Sequence, residues 1–160
     1  MIKAVTHENL VQAIKLVNEV FSEFVAVDYS EEGRETFATY LKDKHDEISS
    51  KLSTGEKKMW AYYQNDEIVG VIAIKNNSHL TLMFVAKEYH KKGIARKMFN
   101  FVLEGVRKAC NITQITVNAS PYAVQAYEHL GFSKTREQQE LNGIIFIPMA
   151  CPVQEKIQEN

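Results

Sequence analysis

The residues of this chain best suited to chemistry form a basic, glycine-centred turn. An apolar run ends at the sequence HKKGIAR, residues 90–96, where an amphipathic helical pattern begins. The first backbone N–H groups of a helix lack partners within the helix and carry partial positive charge, so they bind anions. Gly93 lets a ligand approach the backbone, while Lys91, Lys92 and Arg96 add cations where the helix dipole alone favours acidic residues. The turn therefore predicts a site for a bound polyanion.

The spacing excludes two well-known phosphate sites. The chain contains no G-x-x-x-x-G-K-[ST] sequence and no G-x-G-x-x-G sequence, so neither a P-loop nor a Rossmann dinucleotide site is supported. A basic turn before a surface helix also occurs as a solvated face without any ligand. Both interpretations of the turn stay open at this point.

A second segment, residues 118–132, has local signals that agree with one another. Ser120 is a good N-cap, and Pro121 suits the first helical position because its missing N–H would be unpaired there anyway. Gly131 fits the left-handed residue that ends many helices. The segment is therefore predicted to run from the end of a strand into a short, well-bounded helix.

The two segments together resemble the GNAT superfamily of N-acetyltransferases. Residues 90–95 resemble its Q/R-x-x-G-x-G/A signature, with His90 in place of Gln or Arg and Ala95 as a permitted alternative to Gly. The resemblance extends over most of the chain and includes residues 21–33 and 142–149.

The second segment is similar to a GNAT helix that contains Ala-x-x-x-Tyr and ends in Gly-Phe. The matching residues here are Ala123, Tyr127, Gly131 and Phe132. The two segments occur in the order of the family, with room between them for one helix and one strand. Two independent matches make the resemblance much more specific than either motif alone.

The resemblance implies an α/β fold with a mixed, mostly antiparallel central sheet that is splayed between its fourth and fifth strands, with helices on both faces. It also implies acetyl-CoA as a cosubstrate, bound in the cleft between residues 82–85 and 115–118 with its pyrophosphate on the basic turn. The residues thereby predicted to contact the coenzyme are Phe84, Val85, His90, Lys91, Lys92, Gly93, Ile94, Ala95, Arg96, Asn118, Ser120, Ala123 and Tyr127.

Acetyl transfer to an amine defines what the cleft must supply. The amine attacks the thioester, an oxyanion forms and a thiolate leaves, so the site needs a proton acceptor, a donor to the oxygen and an acid for sulfur. Tyr127 matches the tyrosine that protonates the thiolate in the family, although the same residue could simply anchor its helix to the sheet. By the same resemblance, the oxyanion donor is a backbone N–H near Phe84 or Val85, residues that also suit an ordinary core.

The general base is less clearly indicated. Many family members use a glutamate on or beside the fourth strand, but residues 79–85 contain no carboxylate. His79 is the nearest titratable residue, and an ordinary histidine pKa of about 6.5 suits a base. Glu23 is the rival, since it lies in the region where family members bind the acceptor, and a chain of water molecules is a third alternative. Both side chains could equally be solvated surface groups.

Carboxylates near one end of the expected cleft favour a cationic acceptor. Glu23, Asp28 and Glu32 would pair with an ammonium group, and Tyr29 would add a cation–π contact. Helix capping explains Glu32 without any ligand.

Hydrophobic periodicity predicts the elements that hold these residues. Helices are expected to begin at Thr6, at Ser30 and at residue 94, and residues 51–58 are expected to form a loop. Strands are expected at residues 2–5, 59–64, 68–75, 79–85, 112–117 and 144–149. A strand–helix–strand–helix section between flanking strands indicates a mixed sheet with helices on both faces.

Length and composition bound the remaining alternatives. The 160 residues are enough for one domain, predicted to be acetyltransferase-like over residues 1–150 and followed by a polar tail at 151–160. Cys110 and Cys151 have no metal-ligand or redox spacing, so free thiols and no metal site are expected. No signal peptide and no spanning segment is found, so a cytoplasmic protein without membrane association is expected.

The sequence thus predicts an N-acetyltransferase whose partner is a small-molecule or peptide amine. A net charge of −1 gives no global attraction to nucleic acid, and none is expected as a partner. A non-catalytic acyl-CoA sensor or partner-binding module is the first alternative, a nucleic-acid or polyanion binder is the second, and a homodimer is one open oligomeric state.

Overall fold

The fold is built from helices and strands that alternate irregularly along the chain. The computed structural model describes residues 1–43, 45–109 and 111–153. In chain order the elements are β1 Ile2–Ala4, α1 Leu10–Val20, a π-helical segment Phe21–Val25, α2 Glu31–Asp43, α3 His45–Thr54, β2 Lys57–Gln64, β3 Glu67–Lys75, β4 His79–Val85, α4 Ile94–Arg107, β5 Gln114–Ala119, α5 Val124–Leu130, β6 Ser133–Lys134, β7 Gln139–Leu141 and β8 Ile144–Pro152.

The strands form one mostly antiparallel sheet in the order β1-β2-β3-β4-β5-β8-β6, with β7 also paired to β8. The centre of the sheet is buried on both faces, as β3 shows. Val71 and Ala73 belong to the core that contains α1, whereas Ile72 and Ile74 belong to the core that contains α4. A strand covered on both sides has no polar face, which explains the continuous apolar run of β3. The predicted mixed sheet with helices on both faces is confirmed.

The sheet is splayed where β4 meets β5. This parallel pair is joined only through His79 with Thr116 and Leu80 with Val117, at the beginning of β4. Beyond these pairs the two strands diverge, so the end of β4 is not covered by β5. The predicted splay between the fourth and fifth strands is therefore confirmed.

Two predicted element boundaries are wrong at the N-terminal side. The first helix begins at Leu10 rather than at Thr6, because the Thr6 N–H donates to Asn9 Oδ1 at 2.8 Å and the chain turns first. The predicted loop 51–58 is instead the end of α3 and the beginning of β2. In helix α3 the buried residue is Ile48, so the segment lacks the periodic apolar stripe by which a helix is recognised in a sequence.

The last strand continues beyond the predicted domain boundary at residue 150. Strand β8 ends at Pro152, and both Cys151 and Val153 are buried in the core. Burial raises the pKa of the Cys151 thiol, which is free. Cys110 and residues 154–160, the rest of the predicted tail, lie outside the described residues.

A contact between two glycines attaches α2 to the turn between β7 and β8. A Cβ placed on Gly33 would lie 2.0 Å from the Gly143 carbonyl oxygen, and Gly143 has a left-handed φ of +79°. Beside this contact the Thr36 hydroxyl donates to the Asn142 carbonyl oxygen at 3.0 Å. Only two residues without side chains let these backbones approach so closely.

We expect Gly33→Ala to lower the free energy of unfolding by about 1–3 kcal/mol, because the added methyl group forces α2 and the hairpin apart. Gly105→Ala is the matched control. It lies within α4 with no heavy atom within 4 Å of the added Cβ, so the alanine should stabilise the helix by about 0.5–1 kcal/mol. Urea denaturation of both variants measures the difference. Equal free energies of unfolding for the two variants would show that the hairpin moves to accommodate the methyl group added at residue 33 without loss of stability.

Candidate active site

A cavity of about 620 Å³ opens where β4 and β5 diverge. Its walls come from the end of α1, the π-helical segment, α2, β4, the start of α4, β5, α5 and the start of β8. All the residues predicted to contact the coenzyme line this cavity except Lys92, whose ammonium lies 5.3 Å from the centre of the Tyr89 ring. The structure thus brings the two motif segments to one site, while their contact with the coenzyme stays a prediction.

The basic turn forms a cradle at the start of α4. Lys91 has a φ of +61° and Gly93 a φ of +80°, so the backbone reverses sharply before the helix begins at Ile94. The Lys97 N–H donates to the Gly93 carbonyl oxygen at 3.0 Å and is thus bonded within the first helical turn. The N–H groups of residues 94–96 precede it and point out of the helix end, which is the arrangement that binds phosphate oxygens.

His90 joins this cradle to the end of β4. Its Nε2–H donates to the Val85 carbonyl oxygen at 2.6 Å, and its ring lies 5.1 Å from the Phe24 ring. The carbonyl can only accept, so the bond assigns the Nε2–H tautomer to a neutral His90. Where the family signature has Gln or Arg, histidine therefore fixes the turn against the strand.

The backbone at the end of β4 presents an N–H group to the cavity side. The Ala86 N–H donates to the Val69 carbonyl oxygen on β3 at 2.8 Å. Successive amides of a strand point to opposite sides, so the Val85 N–H points away from β3, toward the side that β5 has left. The Val85 carbonyl points the same way, since it meets His90 there. Of Phe84 and Val85, the geometry therefore favours Val85 as the oxyanion donor.

Tyr127 reaches the cavity from α5. Its ring is only 6 % exposed and lies edge-on to Phe132 at 5.3 Å between ring centroids. Gly131, with a φ of +108°, ends the helix as predicted, and the Phe132 N–H then donates to the Tyr127 carbonyl oxygen at 3.0 Å. Burial raises the pKa of Tyr127, which keeps the phenol neutral at neutral pH. Within the described part of the chain, its hydroxyl has no hydrogen-bond partner.

Two contacts hold α5 in place beside the cradle. Arg96 Nη2 donates to the His129 carbonyl oxygen at 2.8 Å, which ties the start of α4 to the last turn of α5. Ser120 does not cap the helix with its side chain as predicted. Instead its carbonyl accepts the Ala123 N–H at 2.9 Å in a short 3₁₀ turn that precedes the helix at Val124.

His79 does not reach the cavity. It lies at the beginning of β4, where its Nδ1 is 2.7 Å from Thr116 Oγ1, and the cavity residues of this strand, Thr81 and residues 83–85, lie about 7–20 Å further along. Burial and the Lys75 charge lower the pKa of His79. His79 is therefore not one of the residues that line the cavity, and its role as a catalytic base stays a prediction.

The predicted acidic residues are also outside the cavity wall. Glu23 Oε1 pairs with Lys87 Nζ at 2.8 Å, with both side chains largely in solvent. Asp28 and Glu32 are exposed, and only Tyr29 of this group lines the cavity. The carboxylates expected to attract a cationic acceptor are therefore not brought to the wall.

The structure groups Tyr29, which the sequence indicated as an acceptor contact, with four cavity residues that the sequence did not indicate individually. We call this group the apolar chamber, formed by Phe21, Val25, Tyr29, Phe37 and Ile144. These residues lie within or next to the two outer segments that resemble the family, which is the signal that could have found them. The chain switches from α to π geometry at the first of them, an irregularity frequent at functional sites.

The described chain matches one family over most of its length. The family model described as "Acetyltransferase (GNAT) domain" matches residues 25–153. The UPF0157 protein YqkA of Bacillus subtilis strain 168 is 27% identical over 97 residues, which cover 59% of this chain and 28% of that protein. The chain thus matches little more than a quarter of the length of this curated relative.

Solved structures share the fold. The GCN5-related N-acetyltransferase from Rhodopseudomonas palustris superposes with a TM-score of 0.77 at 19% identity, covering 95% of this chain and 94% of the other. The PaiA N-acetyltransferase of Thermoplasma acidophilum, solved with coenzyme A, gives 0.75 at 18% identity and covers 95% and 98%.

The shared fold and the family match agree on the class of this chain. The chain belongs to the GNAT acetyltransferase family. No helix within the described residues is long and apolar enough to cross a membrane.

Proposed function

We propose that this acetyltransferase moves an acetyl group from acetyl-CoA to a primary amine of a small molecule or peptide. The observation that carries the proposal is one continuous cavity that joins the cradle at the start of α4 to Tyr127 and to the end of β4. A donor and an acceptor can occupy such a space together, so the amine attacks the thioester directly within a ternary complex.

The cradle holds the pyrophosphate of the donor in this proposal. The N–H groups of Ile94, Ala95 and Arg96 point at the phosphate oxygens, and the Lys91 side chain adds charge on the cavity wall. Gly93 leaves open space where a side chain would stand, since no heavy atom lies within 4 Å of an added Cβ. The pantetheine arm then follows the end of β4 between the diverging strands.

The chemical step uses groups on both sides of the thioester. The amine nitrogen forms a bond to the acetyl carbon, and the carbonyl electrons move to oxygen, where the Val85 N–H donates to the oxyanion. When the oxyanion collapses, the carbon–sulfur bond breaks and the Tyr127 hydroxyl gives its proton to the thiolate. Water in the open cavity removes the proton of the amine, because neither His79 nor Glu23 lines the wall.

An assay of free thiol release tests this function. Acetyl-CoA is offered with polyamines, amino acids, aminoglycosides, alkyl- and arylalkylamines and peptide N-termini, and mass spectrometry identifies the product. We expect amine-dependent thiol release with an acetylated amine as product. Tight binding of acetyl-CoA without thiol release from any amine would identify a non-catalytic acyl-CoA sensor instead.

A further inference from the structure

The two ends of the cavity differ in chemistry. The cradle end carries the basic side chains of Lys91 and Arg96, whereas the other end is the apolar chamber. Phe84 packs against the chamber, and its neighbour Val85 bonds to His90 of the cradle, so the end of β4 joins the two ends. A polyanionic donor that occupies the cradle therefore leaves the chamber to the acceptor.

The chamber is a packed set of rings and branched side chains. Phe21 stacks on Phe37 at 3.9 Å between ring centroids and meets Tyr29 edge-on at 5.3 Å. Val25 is buried beside them. The Gly33–Gly143 contact fixes α2 against the hairpin, so the wall formed by Phe37 and Ile144 is held at a defined width.

The apolar chamber offers a polycation no negatively charged side chain on its wall. Among the described residues that line the cavity, none carries a carboxylate. Glu23, which was predicted to lie in the acceptor region, is paired with Lys87 outside the wall. Burial and the charge of Asp28 raise the pKa of Tyr29 to about 12, so this phenol stays a neutral hydrogen-bonding group. Asp28, whose charge reaches Tyr29, is exposed and does not line the cavity, so an ammonium group that enters the chamber loses its hydration without direct contact with a carboxylate.

We infer that the acceptor is a monoamine carried on an apolar body, such as an alkylamine or arylalkylamine, with that body in the apolar chamber. This inference rests on the proposed acetyl transfer to an amine. It excludes polyamines and aminoglycosides as preferred acceptors, because their further ammonium groups would enter the chamber unpaired.

Hexylamine and 1,6-diaminohexane form a matched pair of probes, since they differ mainly in the second ammonium group. We expect kcat/KM for hexylamine and for 2-phenylethylamine to exceed that for 1,6-diaminohexane and spermidine by about tenfold or more. Equal or higher values for the diamine would overturn the inference while leaving the proposed function intact.

A pair of variants locates the preference in the chamber. Ile144→Asp places a carboxylate in the wall and should lower kcat/KM for hexylamine about tenfold, raise it for the diamine and leave the dissociation constant of coenzyme A unchanged. Leu141→Asp is the control, since Leu141 pairs with Ile144 across the same hairpin but is 64 % exposed and outside the cavity. Equal effects of the two aspartates would contradict the inference.

Phe37→Leu is a milder change in the wall of the chamber. It should lower kcat/KM for 2-phenylethylamine roughly fivefold and leave kcat/KM for the diamine unaffected.

Binding without turnover separates this inference from the proposed function. Calorimetry measures the affinity of hexylamine and of 1,6-diaminohexane for the protein saturated with coenzyme A. Tighter binding of hexylamine supports an apolar monoamine site in the chamber even if no amine releases thiol, in which case the site binds a monoamine but the proposed acetyl transfer to it fails. Tighter binding of the diamine overturns the inference whatever the turnover.

Discussion

Tyr127→Phe is expected to lower kcat by about 100-fold while changing the dissociation constant of acetyl-CoA by less than about twofold. The variant removes only the hydroxyl, and no described residue accepts a hydrogen bond from it, so the folded structure should lose little stability. The ring keeps its packing against Phe132. The lost proton donor therefore acts on the departure of the thiolate rather than on coenzyme binding.

The raised pKa of Tyr127 adds a pH signature to this prediction. Because burial shifts the phenol further from ionisation, the acid stays protonated over the whole neutral range, and kcat should not fall through loss of this proton up to about pH 9. Single-turnover measurements of thiol release separate the chemical step from product release. A kcat for Tyr127→Phe that equals the wild-type value would remove this residue from the mechanism.

Tyr122→Phe is the matched control. Tyr122 also lines the cavity, but it stacks on Phe24 and is largely exposed, so loss of its hydroxyl should leave kcat within about twofold of wild type. Similar losses in both tyrosine variants would point to a general effect on the cavity rather than to proton transfer from α5.

The local elements of the fold were predictable where one segment determines its own conformation. Strand β4 was predicted with both of its ends, and the strands predicted at residues 59–64 and 68–75 form a hairpin around the polar turn at Asn65 and Asp66. Both turn residues have the positive φ that two-residue hairpin turns require, a conformation in which Asn and Asp are common. The left-handed end of α5 at Gly131 was equally local.

The cradle was predictable because its residues are consecutive. A helix start presents its own N–H groups, so the glycine and the cations that surround it in sequence also surround it in space. His90 shows the limit of this reasoning. Its bond to the Val85 carbonyl depends on how the chain folds back over the end of β4, and no spacing rule gives that distance.

The apolar chamber was not predictable from local patterns, because it is assembled from three separate stretches of the chain. The π-helical segment, α2 and the start of β8 meet through long-range contacts, among them the Gly33–Gly143 contact, the Thr36–Asn142 hydrogen bond and the packing of Phe21 on Phe37. The acidic side chains near these segments in sequence were expected at the cleft. They point to solvent instead because neighbours on a helix alternate between core and surface.

Gly93→Asp is expected to raise the dissociation constant of coenzyme A by about 100-fold, because it places a carboxylate close to the bound pyrophosphate. The aspartate also fills the space that lets the phosphate approach the N–H groups at the start of α4. Isothermal titration with coenzyme A measures the change. An unaltered affinity would place the pyrophosphate elsewhere and would contradict the proposed arrangement of the donor.

Two further variants separate charge from backbone strain. Gly55 has a φ of +81°, nearly equal to the +80° of Gly93, and an added Cβ meets no heavy atom within 4 Å at either residue. Gly55 lies between α3 and β2, outside the cavity wall. Gly55→Asp should therefore lower the free energy of unfolding by about 1 kcal/mol, as Gly93→Asp does, and leave coenzyme affinity intact. Gly93→Asn keeps the size of the aspartate and tolerates the left-handed conformation, so it should weaken binding by no more than about tenfold. The difference between the asparagine and aspartate variants at residue 93 then measures the repulsion of the pyrophosphate alone, since their size and backbone strain are matched.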